Sequence, residues 1–317
     1  GFFKDEGIDL KISTMSGGAM ITSVVSGQAF GLTASVDRNA QAKAAGKVVK
    51  AVVNLDAVAN IYLMARKGLT PANGDIAGFL KGKRIAVSAF GGTPNSMLRY
   101  LLKKWKLEPG KDVTLIEVNS QPIVSVTVGA GQADIGVSAE PFISQGVAKG
   151  IWSEPFYAAK DLGPYADTAI SVSGDSISKE PKVVRSLVKA IMRGLIYTNE
   201  HQAEMLALSK VEFPTASEAD LKASLDRSFA DHIFSLDGFV PPEAWTLGEA
   251  VVRQAGEDRG RGFDRIVSPV GGANVGAGRP RERARDDPVD LVRRHEHHAG
   301  ALAPIVEGRQ RNRVFVG

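Results

Sequence analysis

The sequence predicts an α/β protein, on three observations: short Val- and Ile-rich runs, amphipathic segments of helical period between them, and Gly-rich turns where one gives way to the other. The runs fall at 8–12, 29–32, 48–53, 61–65, 84–87, 113–118, 135–137 and 169–172. Most are short and continuous in their apolar residues. Strands buried on both faces read this way, which predicts parallel pairing through crossover helices.

The segment opening at Pro94 puts Met97, Leu98, Leu101, Leu102 and Trp105 on one face and Arg99, Lys103, Lys104 and Lys106 on the other. Thr93 is a favourable cap for that helix, and Pro94 suits its first position. Pro181 opens another, apolar at Val183, Val184, Leu187, Val188, Ile191, Met192, Leu195 and Ile196, with its end expected near Thr198. Further helices are predicted at 203–210, 217–229 and 242–254, so the chain after Thr168 is mainly helical. Beyond about Ile266 the pattern fails. Lys222 is the last lysine, and arginines from Arg279 to Arg313 sit among Gly, Pro and Ala, which predicts a tail over 266–317 that stays out of the core.

Composition excludes several classes of function. The 317 residues carry a formal charge of +4, but Lys and Arg are mostly scattered rather than gathered in a stripe, so no nucleic-acid partner is expected. Cysteine is absent, which removes disulfides, thiolate metal sites and Cys nucleophiles. No run approaches the roughly 20 apolar residues that span a bilayer, so no direct membrane insertion is expected. A nucleophile elbow, a phosphate loop with its Lys, a zinc helix and a dinucleotide fingerprint are all missing. His201 and His232 lie in the helical C-terminal region, away from strand ends, and His295-Glu296-His297-His298 reads as a polar tail. Neither a cofactor, a metal nor a catalytic residue is predicted.

In α/β sheets a ligand collects at the carboxyl ends of strands, where helix N-termini point N–H groups into the crevice. Three segments have that form: Ser16-Gly17-Gly18, the turn Ser88-Ala89-Phe90-Gly91-Gly92-Thr93, and Ser138-Ala139-Glu140. Each also reads as a plain strand-to-helix turn. An acidic solute group is expected against the helix opening at Pro94, touching Ser88 or Thr93 and the N–H groups of Asn95, Ser96 and the glycines before the cap, with Ser16, Gly17 and Gly18 gripping from the opposite side. Glu140 could face a ligand amine, and Phe90, Tyr62 or Trp152 could cover an organic ligand.

Several stretches carry a resemblance in a fixed order. Gly1-Phe2-Phe3-Lys4-Asp5-Glu6-Gly7-Ile8-Asp9-Leu10 resembles the opening of the nitrate/sulfonate/taurine-type (SsuA/THI5-like) periplasmic substrate-binding proteins, just after their first strand. Ser16-Gly17-Gly18-Ala19, Ser26 to Leu32, Leu80 to Val87 with Gly91-Gly92-Thr93, Gly129 to Ile135, and Glu140-Pro141 follow suit, covering residues 1–256. The resemblance implies the type II periplasmic binding fold, two α/β lobes with a ligand cleft between them. It also implies export, a small anionic solute (a sulfonate, nitrate-like anion, carboxylate or pyrimidine precursor), and an ABC permease and ATPase as partners of a monomeric receptor. Lobe 1 is expected from 1–80 and 168–261, and lobe 2 from 83–163. Relatives carry a signal peptide and a first strand ahead of Gly-Phe-Phe, so the chain reads as shortened at its start. A non-transport enzyme on the same fold, like the chorismate dehydratase of menaquinone synthesis, is the competing reading, and a ligand-sensing domain is a third.

Overall fold

The computed structural model describes residues 1–13, 18–44, 46–71, 74–255 and 314–316. Two sheets organise them. The first contains β1 (Gly31–Ala34), β2 (Val49–Asn54), β8 (Ala169–Ser173) and β9 (Val314–Val316), in the order β2-β8-β1-β9. The second contains β3 (Tyr62–Ala65), β4 (Arg84–Ser88), β5 (Thr114–Val118), β6 (Ile135–Ser138) and β7 (Tyr157–Ala158), in the order β5-β4-β6-β3-β7.

Most predicted runs become strands, but their directions differ from the all-parallel expectation. β4 pairs parallel with β5 and β6, whereas β3 runs antiparallel to β6 and β7, and β8 runs antiparallel to β1 and β2. β3 and β8 are the first strands after the chain passes from one sheet to the other. Such a strand has no crossover helix forcing it parallel. The run at 8–12 forms no strand. Ile8 is buried, but Ile12 is 60% exposed. Within 266–317 the Val-Phe-Val triplet of β9 forms a short edge strand, which its β-branched and aromatic residues suit.

The second sheet is covered on both faces, and β4 shows how. Ile85 and Val87 join one cluster with Met97, Leu98 and Leu101 of α5 (Thr93–Lys104), while Ala86 joins the opposite cluster with Val124 and Val128 of α6 (Gln121–Gly129). The predicted apolar face of α5 is the buried one. Its cap is Gly92 and not Thr93, which already lies in the helix, with no side chain capping the end. On the first sheet, Val53, Ile170 and Val172 pack with Leu187 and Leu195 of α9 (Pro181–Glu200).

The boundaries of the two halves fall elsewhere than the sequence suggests. β3, within 1–80, pairs in the second sheet. Val251 of α12 (Pro242–Ala255), within 168–261, is buried in the second sheet's core beside Leu98 and Leu101. Helical period reveals that a face is buried but not what it is buried against.

Three crossing segments lie side by side between the sheets. The Leu55 N–H donates to the Thr168 carbonyl at 2.8 Å, the Ser235 N–H to the Leu55 carbonyl at 2.8 Å, and the Ala57 N–H to the Ile233 carbonyl at 2.7 Å.

Candidate functional site

Between the sheets, where strands of both end, lies a cavity of about 350 Å³. From the first sheet come Thr33, Ala34, Ser35 and, at the second position of α3 (Asp37–Ala44), Arg38. The crossing segments supply Asp56, Asn60, Asp167 and Thr168, and the second sheet supplies the turn Gly91 to Pro94, Gln121 and Ala139.

The turn after β4 is built around its glycines. Gly91 has φ +85°, a left-handed conformation that glycine adopts without strain. A Cβ on Gly92 would sit 3.2 Å from Ser88 Oγ. Asn95 is buried and braces the turn: its amide donates to the Ser88 carbonyl at 2.8 Å and to Glu117 Oε1 at 3.0 Å, and its Oδ1 accepts from Arg99 Nε at 2.8 Å. The N–H groups expected to meet an anion are turned inward. Those of Asn95 and Ser96 both donate to the Gly92 carbonyl at 3.0 Å.

Gly91, Gly92 and Thr93 line the cavity, with Ser88 behind them. Phe90 projects away, 51% exposed, with the Arg99 guanidinium 5.2 Å above its ring. Ser138 is buried, its hydroxyl donating to Gln121 Oε1 at 2.8 Å, and the Ala139 N–H donates to the same oxygen at 2.8 Å. Glu140 faces Arg227 rather than a ligand: its carboxylate accepts from Arg227 Nε at 2.6 Å and from the Ser144 hydroxyl at 2.8 Å. Tyr62 and Trp152 are core side chains. Ser16 and Gly17 lie outside the described residues, as does His295-Glu296-His297-His298, while Gly18 opens α2 (Gly18–Val25).

The sequence reading missed the acids. Burial raises Asp56 to about 6, partly countered by a hydrogen bond from Thr168. Burial, then the neighbouring charges of Asp56 and Asp37, raises Asp167 to about 8. Each stands alone in a connecting segment without a motif, and only the fold brings them together. Arg38 reaches across the cavity to donate to the Gly91 carbonyl. One guanidinium and two carboxyl groups thus line the same cavity.

This arrangement, two α/β sheets with a cavity at facing strand ends, is the periplasmic-binding-protein fold. Residues 1–205 match the family described as NMT1/THI5 like, and the chain belongs to it. The Bacillus subtilis protein YtlA, named as a binding protein, is 26% identical over 261 residues, 81% of this chain and 77% of YtlA. A solved Bordetella bronchiseptica structure superposes with a TM-score of 0.65 at 22% identity, covering 84% of this chain and 89% of that one. The periplasmic aliphatic sulphonate binding protein SsuA from Escherichia coli superposes with a TM-score of 0.61 at 14% identity, covering 86% of each chain. Among the described residues, no helix is long and apolar enough to cross a membrane.

Proposed function

We propose that the chain is the solute-binding receptor of an ABC importer, holding a small organic solute between its two sheets and handing it to a membrane permease outside the cytoplasm. The observation that carries this is the cavity of about 350 Å³ walled by residues of both sheets. A solute seated there touches both halves and favours the closed arrangement through contacts that an open one lacks. SsuA, similar in fold, is named a periplasmic sulphonate binding protein. The first sheet with α9 forms one lobe, and the second sheet with α5, α6 and α12 the other. Gly91, Gly92 and Thr93 grip the solute from the second lobe, and Thr33 and Ser35 from the first. The Asn95 and Ser96 N–H groups donate inward, so an anionic solute group, as expected from the sequence, is met from the turn's glycines instead.

Thermal-shift screening of small metabolites against the purified chain tests the reading, since a ligand raises stability by mass action. Hits should lose their effect in Ala139→Trp, which fills the cavity. Hits that survive that substitution would put binding elsewhere and sink the assignment.

A further inference from the structure

Resting on the receptor reading of this cavity, we propose that Gln121 sets which head group its solute can carry: the side-chain amide, fixed as a donor with that of Asn60, takes an acceptor oxygen of the solute.

An amide side chain can turn either end to a neighbour, and here two bonds decide which. Gln121 Oε1 accepts from the Ser138 hydroxyl and from the Ala139 N–H, each at 2.8 Å. A backbone N–H can only donate, so the end facing Ala139 must be the oxygen. Ser138, fully buried at the end of β6, holds the same oxygen from behind. Nε2 is the end left over. It meets no acceptor among the described residues, although Gln121 lines the cavity. Asn60 repeats the arrangement from a crossing segment. Its Oδ1 accepts from the next N–H along, that of Glu140, at 3.4 Å, and its Nδ2 likewise meets no acceptor among the described residues. Consecutive N–H groups thus hold two amide oxygens, and both amide NH2 groups are left to the cavity.

The facing turn adds a donor of the same kind. Thr93 lines the cavity, and its N–H has no acceptor among the described residues. A carboxylate, sulfonate or amide carbonyl brings the oxygens that these groups lack, whereas an ammonium or amidinium brings N–H groups to a place that already holds N–H groups. Charge does not oppose the first class. Arg38 lines the same cavity, and Asp167, raised to about 8 by burial, keeps its proton at neutral pH, which leaves Asp56 as the ionised member of that pair.

The test uses one ring with three head groups, benzoate, benzenesulfonate and benzamidine, titrated calorimetrically into the full chain and its variants. Benzoate or benzenesulfonate should bind more tightly than benzamidine. Gln121→Glu keeps an oxygen for Ser138 and Ala139 but replaces the donor by an acceptor, and should weaken the better-bound acid at least about tenfold while strengthening benzamidine. Gln121→Met removes the donor without adding charge, and should weaken that acid by about tenfold without strengthening benzamidine. Ala139→Trp should abolish binding of every probe. Acid binding that Ala139→Trp abolishes and both Gln121 variants leave intact overturns the role of Gln121 and leaves the receptor reading standing. A benzamidine preference in the unaltered chain does the same, as does a parallel fall of all three affinities with melting temperature, which marks a purely structural side chain. Binding of none of the three, or binding indifferent to Ala139→Trp, overturns both.

Discussion

Arg227 on α11 (Glu218–Ala230) places its Nε 2.6 Å from Glu140 Oε1, joining a late helix to the strand-end turn of the second sheet. The Glu140 side chain is 2% exposed and that of Arg227 22%. Arg227→Ala strands a buried carboxylate and should cost about 3 to 5 kcal/mol in denaturant unfolding. Glu140→Gln, which leaves a neutral group bonded to Ser144, should cost less. A loss below about 1 kcal/mol for Arg227→Ala would mean the pair is hydrated after all.

Stability of the unliganded chain should fall as pH rises. Asp167 is raised in the folded state from an ordinary value of 3.8 to about 8. The folded state therefore holds its proton more tightly than the unfolded one. That contribution is complete below pH 3.8 and is lost as pH climbs to about 8. Asp56 acts in the same sense up to about 6. Melting temperature measured between pH 5 and 8 should decline from this source, and Asp167→Asn should flatten the decline while raising the value at pH 8. An unchanged slope in the variant would place the titration elsewhere.

Trp152 is 1% exposed, and its indole N–H donates to the Ile143 carbonyl at 3.0 Å. A Cβ added at Gly146 would lie 2.2 Å from Trp152 Cε2. Gly146→Ala should therefore cost about 1 to 3 kcal/mol despite its favourable helix propensity, and Trp152→Ala about 3 to 5. Tolerance of alanine at Gly146, read by chemical denaturation, would show that the indole can move.

The Arg38 bond to the Gly91 carbonyl joins a helix following β1 to the turn following β4. Arg38→Ala should enlarge the radius of gyration in solution scattering and weaken solute binding by about tenfold or more, the worth of a hydrogen bond from a charged group. Identical scattering curves and affinities would reduce this contact to a surface detail.

Apolar periodicity made the interior elements legible, because burial is written into neighbouring residues. β4, β5, β6 and β8 appear where their Val and Ile runs stand, and the buried face of α5 is the one its spacing names. Gly91 was legible for a related reason, since a left-handed turn leaves a signature of its own. Asp56, Asp167, Arg38 and Thr33 were not. Each is a single polar residue in a segment whose neighbours say nothing, and the 110 positions between Asp56 and Asp167 close only when the crossing segments pair. Glu140 was visible but misassigned, as no local pattern links it to an arginine 87 residues away.

The three adjacent crossings also govern how the molecule comes apart. β8 joins the first sheet only after the whole second sheet has been laid down, and Val251 joins the second sheet's core later still. A protease that cuts once in a surface loop therefore leaves a nicked molecule whose pieces stay interleaved. Neither half corresponds to a stretch of consecutive residues. Trimming back from Ala255 removes a wall of the more distant half, not a loose end.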